Sequence, residues 1–203
     1  MTARAEMGGG IPLEQLTPEV RAALARLGDE NALLRAALAE TRAQVGELEE
    51  ASDVDPVTGL ANERELARQL ERAVSQAQRH GTPAALLTID LRDLKGINER
   101  HGRIAGDAAL AHVGRLLESL IRTSDLAART GGGFALLLDH LDPDSAVETG
   151  ERIARFVADQ PLDLGSVEVG LKATVGVATI LPGDSVEDVL RRAERNLERV
   201  KEF

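Results

Sequence analysis

From Leu13 onward, residues suited to a helix seam return every seven positions. Leu13, Val20, Leu27, Leu34, Thr41 and Leu48 form one series, and Thr17, Leu24, Asn31, Leu38, Val45 and Ser52 form the other. Such a repeat favours a helix whose seam faces a second helix, so residues 12–52 are predicted to form a coiled-coil helix. Within it, Thr17-Pro18 suits an N-cap followed by proline at the first helical position. Asn31 on the seam pairs best with its twin in a parallel two-stranded coil, giving up stability for register, and Glu30 can reach Arg35 across the pair. Homodimerisation along Leu27, Asn31, Leu34, Leu38, Val45 and Leu48 is therefore expected. The alternative is a single amphipathic helix folded back on the rest of the chain. Residues 1–11 are small and Gly-rich and are expected to be disordered.

Asp53-Val54-Asp55-Pro56-Val57-Thr58-Gly59-Leu60 breaks the repeat with proline and glycine and marks a boundary between stalk and domain. Beyond it the apolar periodicity alternates. It predicts a helix over about Asn62–Gln78, a strand over Ala84–Ile89 ended by Asp90, and a polar turn carrying Asp93, Lys95 and Asn98. A helix from Gly106-Asp107 through Leu120 and two strands flanking a glycine turn come next. Another helix over Ser145–Ala158, paired strand segments over Val167–Ile180 and a closing helix over Ser185–Lys201 complete the order. Such alternation implies an α/β or α+β sandwich.

The 203 residues, 43% of them apolar, suffice for one domain of ordinary size plus an appendage. Phe134, Phe156 and Phe203 are the only aromatic residues, so the core must be aliphatic and a base-stacking platform is hard to build. A net charge of -10 and a pI near 5.0 argue against nucleic acid as a partner. The absence of cysteine removes disulfides, zinc–thiolate sites and thiol catalysis and fits a reducing cytosol. His80, His101, His112 and His140 show no metal-ligand spacing. No apolar run approaches the roughly 20 residues that span a bilayer, and residues 1–12 lack a signal peptide's hydrophobic centre. A soluble, cytoplasmic chain without membrane contact is the expectation.

The turn Arg129-Thr130-Gly131-Gly132-Gly133-Phe134 lies between two apolar, β-prone runs. Glycine tolerates positive φ and has no side chain in the way, so such a hairpin lets backbone amides approach a phosphate. Magnesium in phosphoryl transfer needs hard oxygen ligands, and this turn carries no carboxylate to supply one.

Residues 53–203 resemble a GGDEF domain. Asp55-Pro56-Val57-Thr58-Gly59-Leu60-Ala61-Asn62 matches the family's opening motif, with Glu63 where the pattern has arginine. Asp90, Lys95, Asn98, Gly102, Gly106 and Asp107 match its strand, loop and helix stretch in order and spacing. Thr174-Val175-Gly176-Val177-Ala178 resembles its late strand, and Ala193, Leu197 and Lys201 match its closing helix. The resemblance implies an α+β fold, a palm-like and mostly antiparallel central sheet flanked by helices, here preceded by the long coiled-coil helix. Active members are diguanylate cyclases, which join two GTP molecules into cyclic di-GMP across a dimer of domains. By the same resemblance Asp90 is the first metal carboxylate, Asn98 and Asp107 are guanine-edge contacts and Lys95 is a phosphate contact. Asn98 and Asp107 serve equally well as turn and helix-cap residues.

The departures fall on the catalytic parts. The signature appears as Gly131-Gly132-Gly133-Phe134, one residue short and without both acidic members. Arg92 occupies the position of the second Asp of the family's strand-end pair, and Leu94 that of the usual Phe. The sequence ends at Phe203, before a basic phosphate contact that the resemblance implies after the closing helix. Two magnesium ions beside one carboxylate would be under-liganded, so no cyclase activity and no magnesium requirement are expected. Asp90, Lys95, Asn98, Asp107, Gly131, Gly132 and Gly133 then form a vestigial nucleotide pocket.

Arg122-Thr123-Ser124-Asp125 keeps the spacing from the Gly-Gly pair at which the family carries its RxxD inhibitory site, where active members bind product. Arg152 falls where the family supplies a second arginine from the neighbouring helix. Two guanidinium forks and a carboxylate suit cyclic di-GMP, since arginine grips phosphates and guanine acceptors bidentately while Asp125 accepts from guanine nitrogens. The plainer alternatives are an Arg–Asp salt bridge near a helix end and pairing of Arg152 with Glu148 or Glu151. Three functions compete. One is an inactive cyclic di-GMP receptor using Arg122, Asp125 and Arg152 and signalling through the coiled-coil dimer to an unidentified protein. The others are a nucleotide-free interaction scaffold and a GTP-sensing domain.

Overall fold

A computed structural model describes residues 17–51, 53–165 and 167–202 of the chain. The expected disordered segment 1–11, the seam positions Leu13 and Ser52 and the side chain of Leu48 lie outside the described residues. The chain divides between Ala51 and Ser52 into two units.

The first unit contains the helix α1, Pro18–Ala51. It starts where the Thr17-Pro18 pair indicates: the Val20 amide donates to Thr17 Oγ1 at 3.4 Å and the Arg21 amide to Thr17 O at 3.0 Å. Proline costs nothing at the first helical position, where its missing N–H has no partner to lose. Leu24, Leu27, Leu34, Leu38 and Val45 lie along α1 with 37% to 63% of their surface exposed, and Asn31 is exposed among them. An apolar seam of this spacing is open for a second helix in the single chain.

The second unit runs α2 (Glu63–His80), β1 (Ala84–Leu91), α3 (Leu94–His101), α4 (Arg103–Leu120), β2 (Leu126–Thr130) and β3 (Gly133–Asp139). It continues through α5 (Pro143–Ala158), β4 (Leu162–Asp163), β5 (Glu168–Val169), β6 (Ala173–Ile180) and α6 (Val186–Lys201). Four strands form one sheet in the order β2-β3-β1-β6, every pair antiparallel, and β4 and β5 form a separate small ribbon.

Helices cover both faces of the sheet, so the central strand β1 is apolar almost throughout rather than alternating. Ala85, Leu87, Ile89 and Leu91 face a core shared with Ile97 of α3, Val113 and Leu117 of α4 and Ile153 and Val157 of α5. Ala84 and Leu86 face the opposite core, built with Leu66, Leu70 and Val74 of α2 and Val189 and Ala193 of α6. By this alternation Thr88 and Asp90 share the α2 and α6 face, and the Thr88 hydroxyl donates toward Gly176 O and Ala193 O at 3.4 Å. A Cβ at Gly176 would lie 2.5 Å from Leu197 N and 2.6 Å from Ala193 O, so only glycine lets α6 seat this closely on β6.

The opening motif is a closed turn hung on the edge of β2. Asp55 Oδ1 accepts from the Thr58 amide at 2.8 Å and the Thr58 hydroxyl at 2.7 Å. Ala61 then brackets β2: its amide donates to Ala127 O at 3.2 Å and its carbonyl accepts from the Arg129 amide at 2.8 Å.

Three elements differ from expectation. Of the expected polar turn only Asp93 lies on a turn, while Lys95 and Asn98 lie in a helix. Asp93 takes a left-handed φ of 61° and the helix α3 follows at once. The helix expected from Gly106-Asp107 starts at Arg103, directly after Gly102, so Asp107 lies a turn inside it. The segments within Val167–Ile180 do not pair with each other: β5 pairs with β4, and β6 pairs with β1. Among the described residues no helix is long and apolar enough to cross a membrane.

Candidate functional site

The glycine hairpin joins β2 to β3 with Thr130 opposite Gly133. Gly131 and Gly132 are open-space residues, and neither takes a left-handed φ. The positive φ that glycine permits is not used here, and Arg129 braces the loop. Its guanidinium donates to the carbonyls of Thr130 and Gly133 and lies 5.2 Å above the centre of the Phe134 ring. Burial pushes the Arg129 pKa below its usual value, against the pull of the Asp55 carboxylate. Gly133 is needed for a different reason. A Cβ there would come within 2.1 Å of Ile89 O, so no side chain fits at the position nearest the missing signature acids.

The glycines share a cleft of about 530 Å³ with Asp90 and Lys201. Lys201 Nζ lies 3.1 Å from Asp90 Oδ2 and 2.9 Å from Glu198 Oε1. Hydrogen bonds first to Glu198 and then to Asp90 hold the Lys201 ammonium above the usual lysine range. Arg92 turns its Nε to Thr174 Oγ1 at 2.7 Å, across the sheet on β6. The magnesium ions that the family implies do not fit these residues. The strand-end carboxylate of Asp90 is engaged by an ammonium, its expected companion is a guanidinium, Gly133 has no room for a side chain, and among the described residues no three acids or histidines gather to hold a metal.

The rest of the expected nucleotide pocket lies elsewhere. Lys95, Asn98 and Asp107 sit at the α3–α4 corner and do not line the Asp90 cleft. Lys95 is exposed, 3.9 Å from Glu99, and Asp107 is exposed one turn into α4. Neither Asn98 nor Asp107 caps a helix, because the N-cap of α4 is Gly102. Asn98 packs on Gly106, where a Cβ would meet its Oδ1 at 2.0 Å, and that oxygen is buried without a hydrogen-bond partner among the described residues.

Arg122, Asp125 and Arg152 do come together. They line one cleft of about 490 Å³ between the β2 approach and α5. Asp125 anchors the loop: its Oδ2 accepts from the Arg122 amide at 2.9 Å and its Oδ1 from the Asp139 amide at 3.1 Å. The carboxylate thus binds backbone rather than the Arg122 guanidinium. Among the described residues, neither the Arg122 nor the Arg152 guanidinium has a hydrogen-bond or ion-pair partner, so the pairing of Arg152 with Glu148 or Glu151 is not formed. Glu151 instead lies 4.0 Å from Arg155. Arg155 lines the same cleft and was not among the expected site residues. Its signal was available, because residues three apart on a helix share a face with Arg152.

Residues 52–203 match the protein family described as diguanylate cyclase, GGDEF domain. The coiled coil and GGDEF domain of DgcB from Caulobacter crescentus, solved in complex with c-di-GMP, is 26% identical and aligns with a TM-score of 0.71 over 89% of this chain and 95% of that one. Diguanylate cyclase SiaD from Pseudomonas aeruginosa, solved with its activator SiaC, is 30% identical with a TM-score of 0.71 over 91% of this chain and 71% of that one. The bifunctional diguanylate cyclase/cyclic di-GMP phosphodiesterase MucR of P. aeruginosa is 34% identical over 131 residues, 64% of this chain and 19% of MucR. The chain spans about a fifth of the length of curated relatives such as this one. With a matching sequence over three quarters of its length and the helix-flanked antiparallel sheet of the solved structures, the chain belongs to the GGDEF family.

Proposed function

We propose that this protein is a catalytically inactive cyclic di-GMP receptor that binds the dinucleotide in the Arg122–Asp125–Arg152 cleft and signals through an α1 homodimer. The observation that carries this is the open cleft in which two guanidiniums have no hydrogen-bond or ion-pair partner among the described residues. Unpaired arginines suit phosphate oxygens and guanine acceptors, which they contact bidentately. Carboxylates of Asp139 and Glu148 also line the cleft and suit guanine N–H donors. Inactivity is supported by the paired Asp90 carboxylate and the blocked Gly133 position. That DgcB was solved with c-di-GMP adds a family precedent for the ligand. The exposed seam of α1 supports the dimer, with Asn31 setting a parallel register.

Calorimetric titration of cyclic di-GMP into wild type and Arg122→Ala tests the proposal. Saturable binding to wild type that is lost in the variant is expected; equal heats from both proteins, or no heat from either, would overturn it.

A second use has one specific observation behind it. Asn98 Oδ1, buried against Gly106 and without a hydrogen-bond partner among the described residues, would suit a guanine N–H in a GTP-sensing domain once uncovered. GTP binding lost in Asp107→Ala but kept in Arg122→Ala would favour that use.

A further inference from the structure

A groove of about 750 Å³ runs along the outer edge of β6, between α5 and α6, and meets the Arg122–Arg152 cleft only at Glu151. Its floor is the edge strand of the sheet. The Arg92 amide donates to Lys172 O at 2.8 Å, which fixes the hydrogen-bonding parity of the β1–β6 pair. Even-numbered residues of β6 bond to β1, and odd-numbered residues aim their amide and carbonyl groups outward. Side chains of α6 close two of those outward carbonyls. Asn196 Nδ2 donates to Val177 O at 2.8 Å, and an Arg192 Nη donates to Thr179 O at 2.6 Å. Ala173 and Val175, nearer the start of the strand, line the groove without such a cap among the described residues.

The two walls differ in chemistry because the side chains of β6 alternate between faces. Val175 and Val177 lie on the α5 face, against Gly150, and continue into an apolar wall with Val147 and Ala154. Thr174 lies on the α6 face, where it receives the Arg92 hydrogen bond, and Arg92, Lys172 and Arg199 gather on that side. Val147 is 52% and Val200 48% exposed. Three cations face a single acid, Glu151, in a chain whose net charge is -10.

We propose that this groove docks an extended acidic segment of a partner protein. The segment adds a short strand beside Ala173–Val175, with alternate apolar side chains against α5 and alternate carboxylates against Arg92, Lys172 and Arg199. Strand addition uses the outward backbone groups for affinity and the two walls for specificity. A second copy of this chain is the wrong occupant for the same edge, because it would bring two cationic walls together.

The test uses the full chain and a fluorescein-labelled peptide of four Val-Glu repeats. Saturable binding is expected, with backbone amide shifts centred on Ala173 and Val175. Four Val-Lys repeats should not bind, and N-methylation of alternate peptide amides should abolish binding to the unaltered protein. The double variant Lys172→Glu, Arg199→Glu should weaken binding at least about tenfold, which charge complementarity of this kind can supply. Its circular dichroism should match wild type. No binding at millimolar peptide, equal binding of the Val-Lys peptide, or indifference to N-methylation would overturn the proposal. So would displacement of the peptide by decanoate at matched concentration, which would mark the groove as a site for small amphipathic anions.

Discussion

Two charged clefts in one domain differ in how their charges are used. In the cleft under the glycine hairpin, Asp90 is held by Lys201, which also holds Glu198, and Arg129 fills the inside of the turn. In the cleft beside α5, Asp125 anchors backbone amides while the guanidiniums of Arg122 and Arg152 face open space. A charge already compensated inside the fold must break that pairing before it can serve a ligand, whereas an unpaired guanidinium gives up only water. On the proposed function, the first cleft lost its chemistry and the second kept its ligand.

Restoring an acid to the hairpin is the strongest attempt to break this contrast. Gly133→Glu should cost about 3 kcal/mol in denaturant unfolding, because its Cβ must displace Ile89 O on the central strand. Gly132→Glu, which meets open space, should cost under about 1 kcal/mol. Equal losses from the two variants would show that the hairpin is not set against β1 as described.

Arginine removal sharpens the other half. Arg122→Ala and Arg152→Ala should each weaken cyclic di-GMP binding about 10- to 100-fold in calorimetry, the span expected when charge-assisted hydrogen bonds are deleted. Their unfolding midpoints should stay at the wild-type value, since neither guanidinium has a partner to lose among the described residues.

Asp184 supplies an internal standard for a charge that serves the fold. It lies 2.5 Å from Arg192 and accepts from the Leu181 amide at 2.8 Å, and the Arg192 hydrogen bond holds its carboxyl below the usual carboxylate range. A depressed folded pKa means that its stabilisation is complete above the unfolded value of about 4 and disappears as pH falls through the lower folded value. Asp184→Asn should therefore cost about 2 kcal/mol at pH 7 and progressively less in acid unfolding below pH ~4. The smallest effect is expected from Asp90→Ala: less than about 1 kcal/mol of stability, as for other partly exposed pairs, and no change in cyclic di-GMP affinity.

Much of the fold is visible in the periodicity. The long amphipathic patterns over α2, α5 and α6 and the apolar run of β1 are strong because each buries a continuous face. The helix α3 is not visible. It has eight residues, too few to show a period, and it opens on Asp93 and carries Gly96, which read locally as turn chemistry. The pairing of β5 and β6 with different strands is equally hidden, since local pattern identifies a strand but not its neighbour. At the candidate sites, the family resemblance brought Arg122, Asp125 and Arg152 into one set, and they line one cleft. It did not foresee the Lys201 ammonium on Asp90, a contact between residues far apart in the sequence that only the packing of α6 against β1 creates.

A crystal structure of the full chain grown with cyclic di-GMP tests the central claim most directly. Density for the dinucleotide between Arg122 and Arg152, with the Asp90–Lys201 pair intact, is the predicted result. An empty cleft there, or the ligand seated against Asp90, Asn98 and Asp107 with Lys201 displaced, would contradict it.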